Sequence, residues 1–461
     1  LRVSVIPEAI HFGDLEFQAL KESSFMKTIS PGYGLMSHLS VEQFTRALDS
    51  RGGRIAVINR NGELRASLSG FEMLSTELMW HADFADHEAV FFEVSRSTGR
   101  LMGAFVHRTR RGPAAGGTRC WSYDSMESFL RDGLRLSKGM THKNASANLW
   151  WGGGKGLIHG VDTLSQDQRA RLFREYGRFV SSLRGCYFTA KDVGTSSNDV
   201  AEIYRTTRFV TCIPPEYGGS GNPSGATAEG VLRGIEATTE VMGSRLQDMV
   251  VGVQGLGEVG SRLTVMLLKA GARVKAFDPD AKRCQDVARL SPRVQVECRS
   301  DDAVLACEMD LFAPCALGGI LNEQTIPTLQ AAAVCGAANN QLASPDRDGL
   351  ALKRRGILYA PDFIVNRMGI VGCADEPFGW LENDPEVMRH LDKEWPFGVY
   401  QMTKKLLADS MTHDSTPHFE AVKLAEAMSL EPHPMRGHRA FQQASQVWRD
   451  WSNCDLHRSR S

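Results

Sequence analysis

Between Val250 and Leu263 the chain reads VVGVQGLGEVGSRL: an apolar run, then Gly255, Gly257 and Gly260 as G-x-G-x-x-G, then a helical pattern. The first glycine permits a tight turn, the second lets a pyrophosphate approach bare backbone, and the third lets the helix pack close to the strand. The first N–H groups of that helix then face the phosphates. Glu258 and Val259 occupy the places between the second and third glycines. The next apolar run, RVKAF, ends in Asp278, eighteen residues past Gly260, where a carboxylate can accept hydrogen bonds from ribose hydroxyls. That charge repels a 2′-phosphate, so NAD is the expected cofactor, and NADP requires Lys282 and Arg283 to turn inward. A glycine-rich turn without a ligand is the plain alternative.

Around this motif strands alternate with helices. MVVGVQ, RVKAF, VQVEC, DLFAP, AAVCG and GILYA are short apolar runs, and Leu263, Met266, Leu267 and Ala270 share one helical face between the first two. An α/β fold with a parallel sheet covered on both sides is expected. The expected division is an N-terminal extension over 1–71, a first domain over 72–215, a Rossmann domain over 225–345 and a helical C-terminal part over 346–461. In the extension, RIAVINRNGELRASL predicts two strands joined by an Asn-Gly turn. In the first domain a helix is expected from YDSMESFLRDGLRLSKGM, with Asp124 and Glu127 at capping-box spacing and Met126, Phe129, Leu130 and Leu134 on one face. SQDQRARLFREYGRFVSSL predicts a second helix, and PHFEAVKLAEAMSL one in the tail.

Charge balance narrows the partners. Lys plus Arg number 53 and Asp plus Glu 54, which leaves no net field to draw in nucleic acid or an anionic membrane. No apolar run is long enough to span a bilayer, and the first residues lack a basic start followed by an apolar block. The ten cysteines include no C-x-x-C pair, so neither a metal site nor a disulfide framework is expected, and reduced thiols in a cytoplasmic protein are. A small-molecule substrate is the remaining expectation.

Three polar groups in the first domain stand in suggestive surroundings: Lys143 in GMTHKNA, Lys155 in ANLWWGGGKG, and Asp192 in TAKDVGT. A lysine after glycines is commonly a solvated loop residue. Here Gly116 and Gly117 in GPAAGGTR form a second bare-backbone element, and ASANLWW reads as a strand carrying both lysines toward one region. Two ammonium groups near tryptophan lower each other's pKa, and burial lowers both further. One lysine can then act as a general base while the other binds a carboxylate, and an aspartate can exchange a proton with a substrate nitrogen.

Over about 72–440 the chain resembles the Glu/Leu/Phe/Val amino-acid dehydrogenases, closest to the leucine and phenylalanine branch. The resemblance rests on GPAAGGTR, GLRLSKGMTHK, GGGKG, TAKDVGT, GGSGNPSGATAEGV, GLGEVG, APCALGG, GAANNQL, YAPDFIVN and CADE, in that order, with the two lysines twelve residues apart. It implies a substrate domain and a Rossmann domain separated by a cleft, with the C-terminal helices returning to the first. It implies Lys143 as the carboxylate-binding lysine helped by Gly116 and Gly117, Lys155 as the general base, and Asp192 as the group handling the amino proton. Asn340 is implied near substrate and nicotinamide, and Thr227 at the carboxamide. The implied reaction is reversible NAD-dependent oxidative deamination of an L-amino acid, carried out by a homo-oligomer. A catalytically silent NAD-binding scaffold or sensor is the competing reading.

Some positions depart from the family pattern. Ala115 stands where relatives usually carry Leu, and Asn366, Arg367, Met368, Gly369 replace Asn-Ala-Gly-Gly. Either the loop hides both long side chains, or Arg367 selects a polar or acidic substrate, or Ala115 and Met368 reshape the pocket for something aromatic or unusual. The Trp150 and Trp151 pair either dries the site or packs the core.

Overall fold

The computed structural model describes residues 36–299 and 302–458, so the first 35 residues of the N-terminal extension lie outside the described residues. Two sheets organise the rest. The first is built from β1 (Arg54–Arg60), β2 (Glu63–Ala66), β3 (Ala89–Val94), β4 (Leu101–Arg108), β5 (Ala114–Ala115), β6 (Thr118–Trp121), β7 (Gly152–His159) and β8 (Tyr187–Phe188). Its order is β2-β1-β3-β4-β7-β5-β8, with β6 also pairing β7. The β2-to-β7 stretch is antiparallel, and β5, β6 and β8 join in parallel. Residues 54–66 of the N-terminal extension therefore belong to this sheet. Their Asn-Gly turn forms as expected: Asn61 and Gly62 have φ of 55° and 87°, with Arg60 opposite Glu63.

Alternation along these strands buries both faces. Ile55, Val57, Phe92 and Phe105 pack under Phe129, Leu130 and Leu134 of the Met126–Ser146 helix. Ala56, Ile58, Phe91 and Ile158 pack under Phe173, Tyr176 and Phe179 of the Gln166–Ser182 helix and under Trp451 of the final helix, Arg439–Arg458. The apolar face expected for the first helix is thus the buried one. Its cap lies one residue later than expected: Ser125 in extended conformation accepts from the Ser128 N–H, and the Ser128 side chain returns to the Ser125 N–H. The serine pair supplies the reciprocal bonds that Asp124 and Glu127 were expected to make.

The second sheet contains β9 (Val250–Gln254), β10 (Arg273–Asp278), β11 (Val294–Cys298), β12 (Leu311–Pro314), β13 (Ala333–Val334) and β14 (Leu358–Tyr359), matching the expected runs. All its pairings are parallel, in the order β11-β10-β9-β12-β13-β14. Chain progress reverses beside β9, and the glycine loop follows β9 at that switch point, where open parallel sheets bind ligands.

The C-terminal helices join the halves. Val399–Thr412 lies on the Ser224–Val241 helix of the second half, and Pro417–Ser429 lies on Met126–Ser146 of the first. Glu426 accepts from Arg108 Nη1 at 2.7 Å and stands 2.7 Å from His142 Nε2. Trp448 Nε1 donates to Arg65 O at 2.9 Å and closes the β1–β2 edge. Among the described residues no helix is long and apolar enough to cross a membrane.

Candidate active site

Lys155 sits in the middle of β7 and is buried. Its Nζ lies 2.7 Å from Asp192 Oδ2, in the loop after β8. Arg119, on β6, places Nε 3.5 Å from the same oxygen while its Nη1 reaches both Asp132 oxygens at 3.1 Å. Burial pushes Lys155 below the usual lysine range, and Asp192 offsets only part of this. Burial pushes Asp192 upward, but the Lys155 and Arg119 charges more than compensate, so its carboxyl is held below its usual value. The pair joins a lysine pushed down by burial to a carboxylate pulled down by the cations beside it.

Lys143 occupies the last turn of the Met126–Ser146 helix, and the residues between that helix and β7 form a turn in which Asn148 adopts φ 57°. The expected ASANLWW strand does not form, because the helix runs through Ser146 and its C-cap Ala147. The Lys143 ammonium donates to Asn339 Oδ1 at 3.0 Å. Asn366 Nδ2 donates to the same oxygen at 2.8 Å and to Ala337 O at 3.0 Å. Burial pushes Lys143 down to about 8, with Asp362 resisting and Lys155 assisting. Asn339 and Asn366 were missed as site residues; the Asn-Asn pair in GAANNQL was the available signal, and it does not say which asparagine turns toward the lysine.

The glycines of β7 are explained by close packing. A Cβ on Gly153 would press into Thr141 and stand 2.5 Å from Ser137 O on the Met126–Ser146 helix. One on Gly154 would lie 2.8 Å from Tyr187 Cδ2, and one on Gly156 2.5 Å from Thr118 Oγ1. At Gly153 the bare backbone lets the Met126–Ser146 helix, which carries Lys143, press onto the strand that carries Lys155, while Gly154 and Gly156 admit the neighbouring strands. Gly116 and Gly117 act similarly: a Cβ on Gly116 would collide with Gly154 O, and one on Gly117 would lie 2.8 Å from Asp192 Cβ.

The three glycines of the loop after β9 differ in their surroundings. Gly255 adopts φ 89°, and a Cβ on Gly260 would collide with Gly255 O where helix Glu258–Lys269 meets β9. A Cβ on Gly257 would meet nothing within 4 Å, so this glycine faces the open space a pyrophosphate needs. Glu258 and Val259 open the helix, and Asn222 Nδ2 lies 3.2 Å from Glu258 Oε2. Asp278 is buried at the end of β10; its Oδ2 accepts from Leu256 N at 2.6 Å and its Oδ1 from Asp280 N at 2.8 Å. The residues therefore fit a dinucleotide.

The family model "Glu/Leu/Phe/Val dehydrogenase, dimerisation domain" matches residues 89–209, and "Glutamate/Leucine/Phenylalanine/Valine dehydrogenase" matches residues 278–376. The leucine dehydrogenase of Geobacillus stearothermophilus is 40% identical over 352 residues, covering 76% of this chain and 92% of that protein. The chain belongs to the Glu/Leu/Phe/Val dehydrogenase family. Its class is therefore that of the amino-acid dehydrogenases, which are oxidoreductases. The phenylalanine dehydrogenase of Caldalkalibacillus thermarum is 42% identical over 302 residues, covering 64% of this chain and 80% of that one. The crystal structure of L-tryptophan dehydrogenase from Nostoc punctiforme is similar with a TM-score of 0.62 and 35% identity, over 75% of this chain and 96% of that one.

Other positions singled out in this amino-acid dehydrogenase take varied places. Thr227 Oγ1 donates to Pro223 O at 3.0 Å, and a Cβ on Gly369 would lie 2.8 Å from that hydroxyl. Asn340 is exposed at φ 52°, with its carbonyl accepting from Gly319 N at 2.8 Å. The tryptophans separate: Trp151 is buried with Ala115, Phe188 and Ala374, edge-on to Phe188 at 4.8 Å. Trp150 is 42% exposed and covers the Arg111 guanidinium at 4.2 Å. Arg367 and Met368 are both fully buried, so the long side chains are hidden by the loop, and Arg367 donates to Ser146 O and Phe397 O.

Proposed function

We propose that this enzyme catalyses the NAD-dependent, reversible oxidative deamination of an L-amino acid with a bulky, apolar or aromatic side chain to the 2-oxo acid and ammonia. The observation that carries the reading is the buried 2.7 Å pair of Lys155 with Asp192, with Lys143 held nearby on Asn339. Lys143 binds the substrate carboxylate in its charged form. Lys155, already depressed by burial, takes a proton from the water that adds to the imino carbon. Asp192 exchanges a proton with the substrate nitrogen as ammonia leaves. NAD, when bound, supplies the hydride acceptor; the Gly255–Gly260 loop, Asp278, Thr227 and Asn340 are the residues proposed to hold it. NAD is favoured over NADP on the buried Asp278 carboxylate at the end of β10, while Arg283, the cation NADP would need, places Nη1 3.7 Å from it, so turnover with each of the two cofactors decides the choice.

Two apolar clusters near the proposed site support the substrate class. Ala115, Trp151, Phe188 and Ala374 form one apolar cluster beside the site, and Ala190, Cys212 and Cys373 form another with Ile370. No cation projects from Arg367 to select an acidic side chain. A homo-oligomer is part of the same reading, supported by the match to a dimerisation domain. The test is reduction of NAD and of NADP with a panel of L-amino acids, and oxidation of NADH with 2-oxo acids plus ammonia. Turnover of phenylalanine, tryptophan or other large apolar substrates with NAD is expected. NADH binding without any turnover would make the chain a scaffold instead.

A further inference from the structure

Arg367 is a charge buried without a countercharge. It forms no ion pair among the described residues: Nη1 donates to Ser146 O at 2.6 Å, Nη2 donates to Phe397 O, and Nε has no partner. The neighbouring His390 is buried too and is pushed down to about 3, first by burial and then by the Arg367 charge, so it supplies no negative charge. Removing a guanidinium from water without a carboxylate is strongly unfavourable. The offset comes from where it points. Ser146 is the last residue of the helix that carries Lys143, and the last-turn carbonyls of a helix lack partners and carry its negative dipole end.

The surroundings make this contact a junction between the halves. Ala147, directly after Ser146, packs in the same core cluster as Val365 and Met368, within the core of the dinucleotide half. Met368 fits because Gly230 lacks a Cβ, which would lie 2.6 Å from Met368 Cγ. Asn366, the residue before Arg367, binds Asn339 Oδ1, the acceptor of the Lys143 ammonium. Consecutive residues thus hold Lys143 from two ends, one through its ammonium and one through its helix backbone.

We propose that Arg367 is a positioning residue for the substrate carboxylate: it pins the end of the Lys143 helix at the junction of the two halves and fixes the Lys143 ammonium relative to Lys155. The inference rests on the carboxylate-binding role proposed for Lys143. Arg367→Met and Arg367→Lys, made in the full chain, test it by steady-state kinetics with the best wild-type amino acid and by fluorescence titration of NADH. Arg367→Met is expected to raise the amino-acid KM about tenfold, with kcat changing less and NADH Kd within about twofold, because a small misplacement of a binding group is costly. Arg367→Lys keeps a cation but cannot span both carbonyls, so an increase of about threefold is expected. If Arg367→Met does not fold, Arg367→Lys decides alone. An unchanged KM in a folded variant, or a fall in Tm with KM and Kd both unmoved, overturns the role and leaves packing only. A wild type that binds NADH but turns over no amino acid overturns the proposed reaction itself, a result distinct from an active wild type with an insensitive variant.

Discussion

In the dinucleotide half, the groups proposed to meet the cofactor phosphates and ribose come from one continuous stretch, β9 through the end of β10. In the catalytic half, Lys143 comes from a helix end, Lys155 from a central strand, Asp192 from a loop beyond β8, and Asn339 from the other half altogether. The first arrangement is made by local geometry and tolerates wide change elsewhere. The second exists only while several packed layers hold. The glycines show the same contrast. Gly257 is bare toward open space, whereas Gly153 is bare because a helix presses on it.

The largest break in this comparison is Lys155→Ala. Loss of a general base is expected to lower kcat by about 10³-fold, while NADH Kd from fluorescence titration stays near wild type, since the dinucleotide half is untouched. Equal activity in the variant would remove Lys155 from the chemistry. Next comes the glycine pair. Gly153→Ala forces a methyl into Thr141 and is expected to cost about 3 kcal/mol, read as a fall in Tm, with turnover falling alongside. Gly257→Ala should leave Tm nearly unchanged and weaken NADH about tenfold, equivalent to about 1.4 kcal/mol. The reverse pattern would exchange the roles assigned to the two glycines.

A smaller effect separates the halves by pH. Lys143 must be charged to hold a carboxylate, and burial pushes it down to about 8. As pH rises through that value the lysine loses its proton, so the amino-acid KM should climb while NADH Kd stays flat. A KM flat through pH 9 or so, with stability retained, would contradict the depressed value. The smallest expected effects distinguish the neighbouring tryptophans. Trp150→Ala removes a cation–π contact worth about 1 kcal/mol and should leave substrate preference alone. Trp151→Ala opens the wall beside Ala115 and should shift relative kcat/KM toward larger side chains.

The same contrast explains what could be read from the chain. The G-x-G-x-x-G loop, the strand before it and the position of Asp278 are set by contacts close in sequence, and all appear where expected. The six parallel strands do as well. Lys155 and Asp192 were singled out on motif and resemblance, and the structure brings them together. ASANLWW was misread as a strand because its first residues finish the Met126–Ser146 helix and Ala147 and Leu149 pack against the core of the other half, a cause invisible to periodicity. Asn339 and Asn366 were missed for the same reason. For Arg367 the sequence left two readings open, and only the fold shows that the guanidinium turns inward to Ser146 and Phe397. The triple glycine was legible as bare backbone, but what needed the space was a helix at Gly153 and neighbouring strands and loop at Gly152 and Gly154, and no local signal names a distant neighbour.

The seal of Trp448 on the β1–β2 edge, with Trp451 edge-on to Phe91 at 5.8 Å, has a consequence for how the molecule is made. The strands of the first sheet are translated long before the helix Arg439–Arg458 that completes the cover over one of its faces. The second sheet is complete once Tyr359 has emerged, so it can close while the chain is still being translated. Ile58 and Phe91 are covered by the Gln166–Ser182 helix but gain Trp451 only once Arg439–Arg458 has been made. Loss of Arg439–Arg458 would therefore be felt in the part of the enzyme that was translated first.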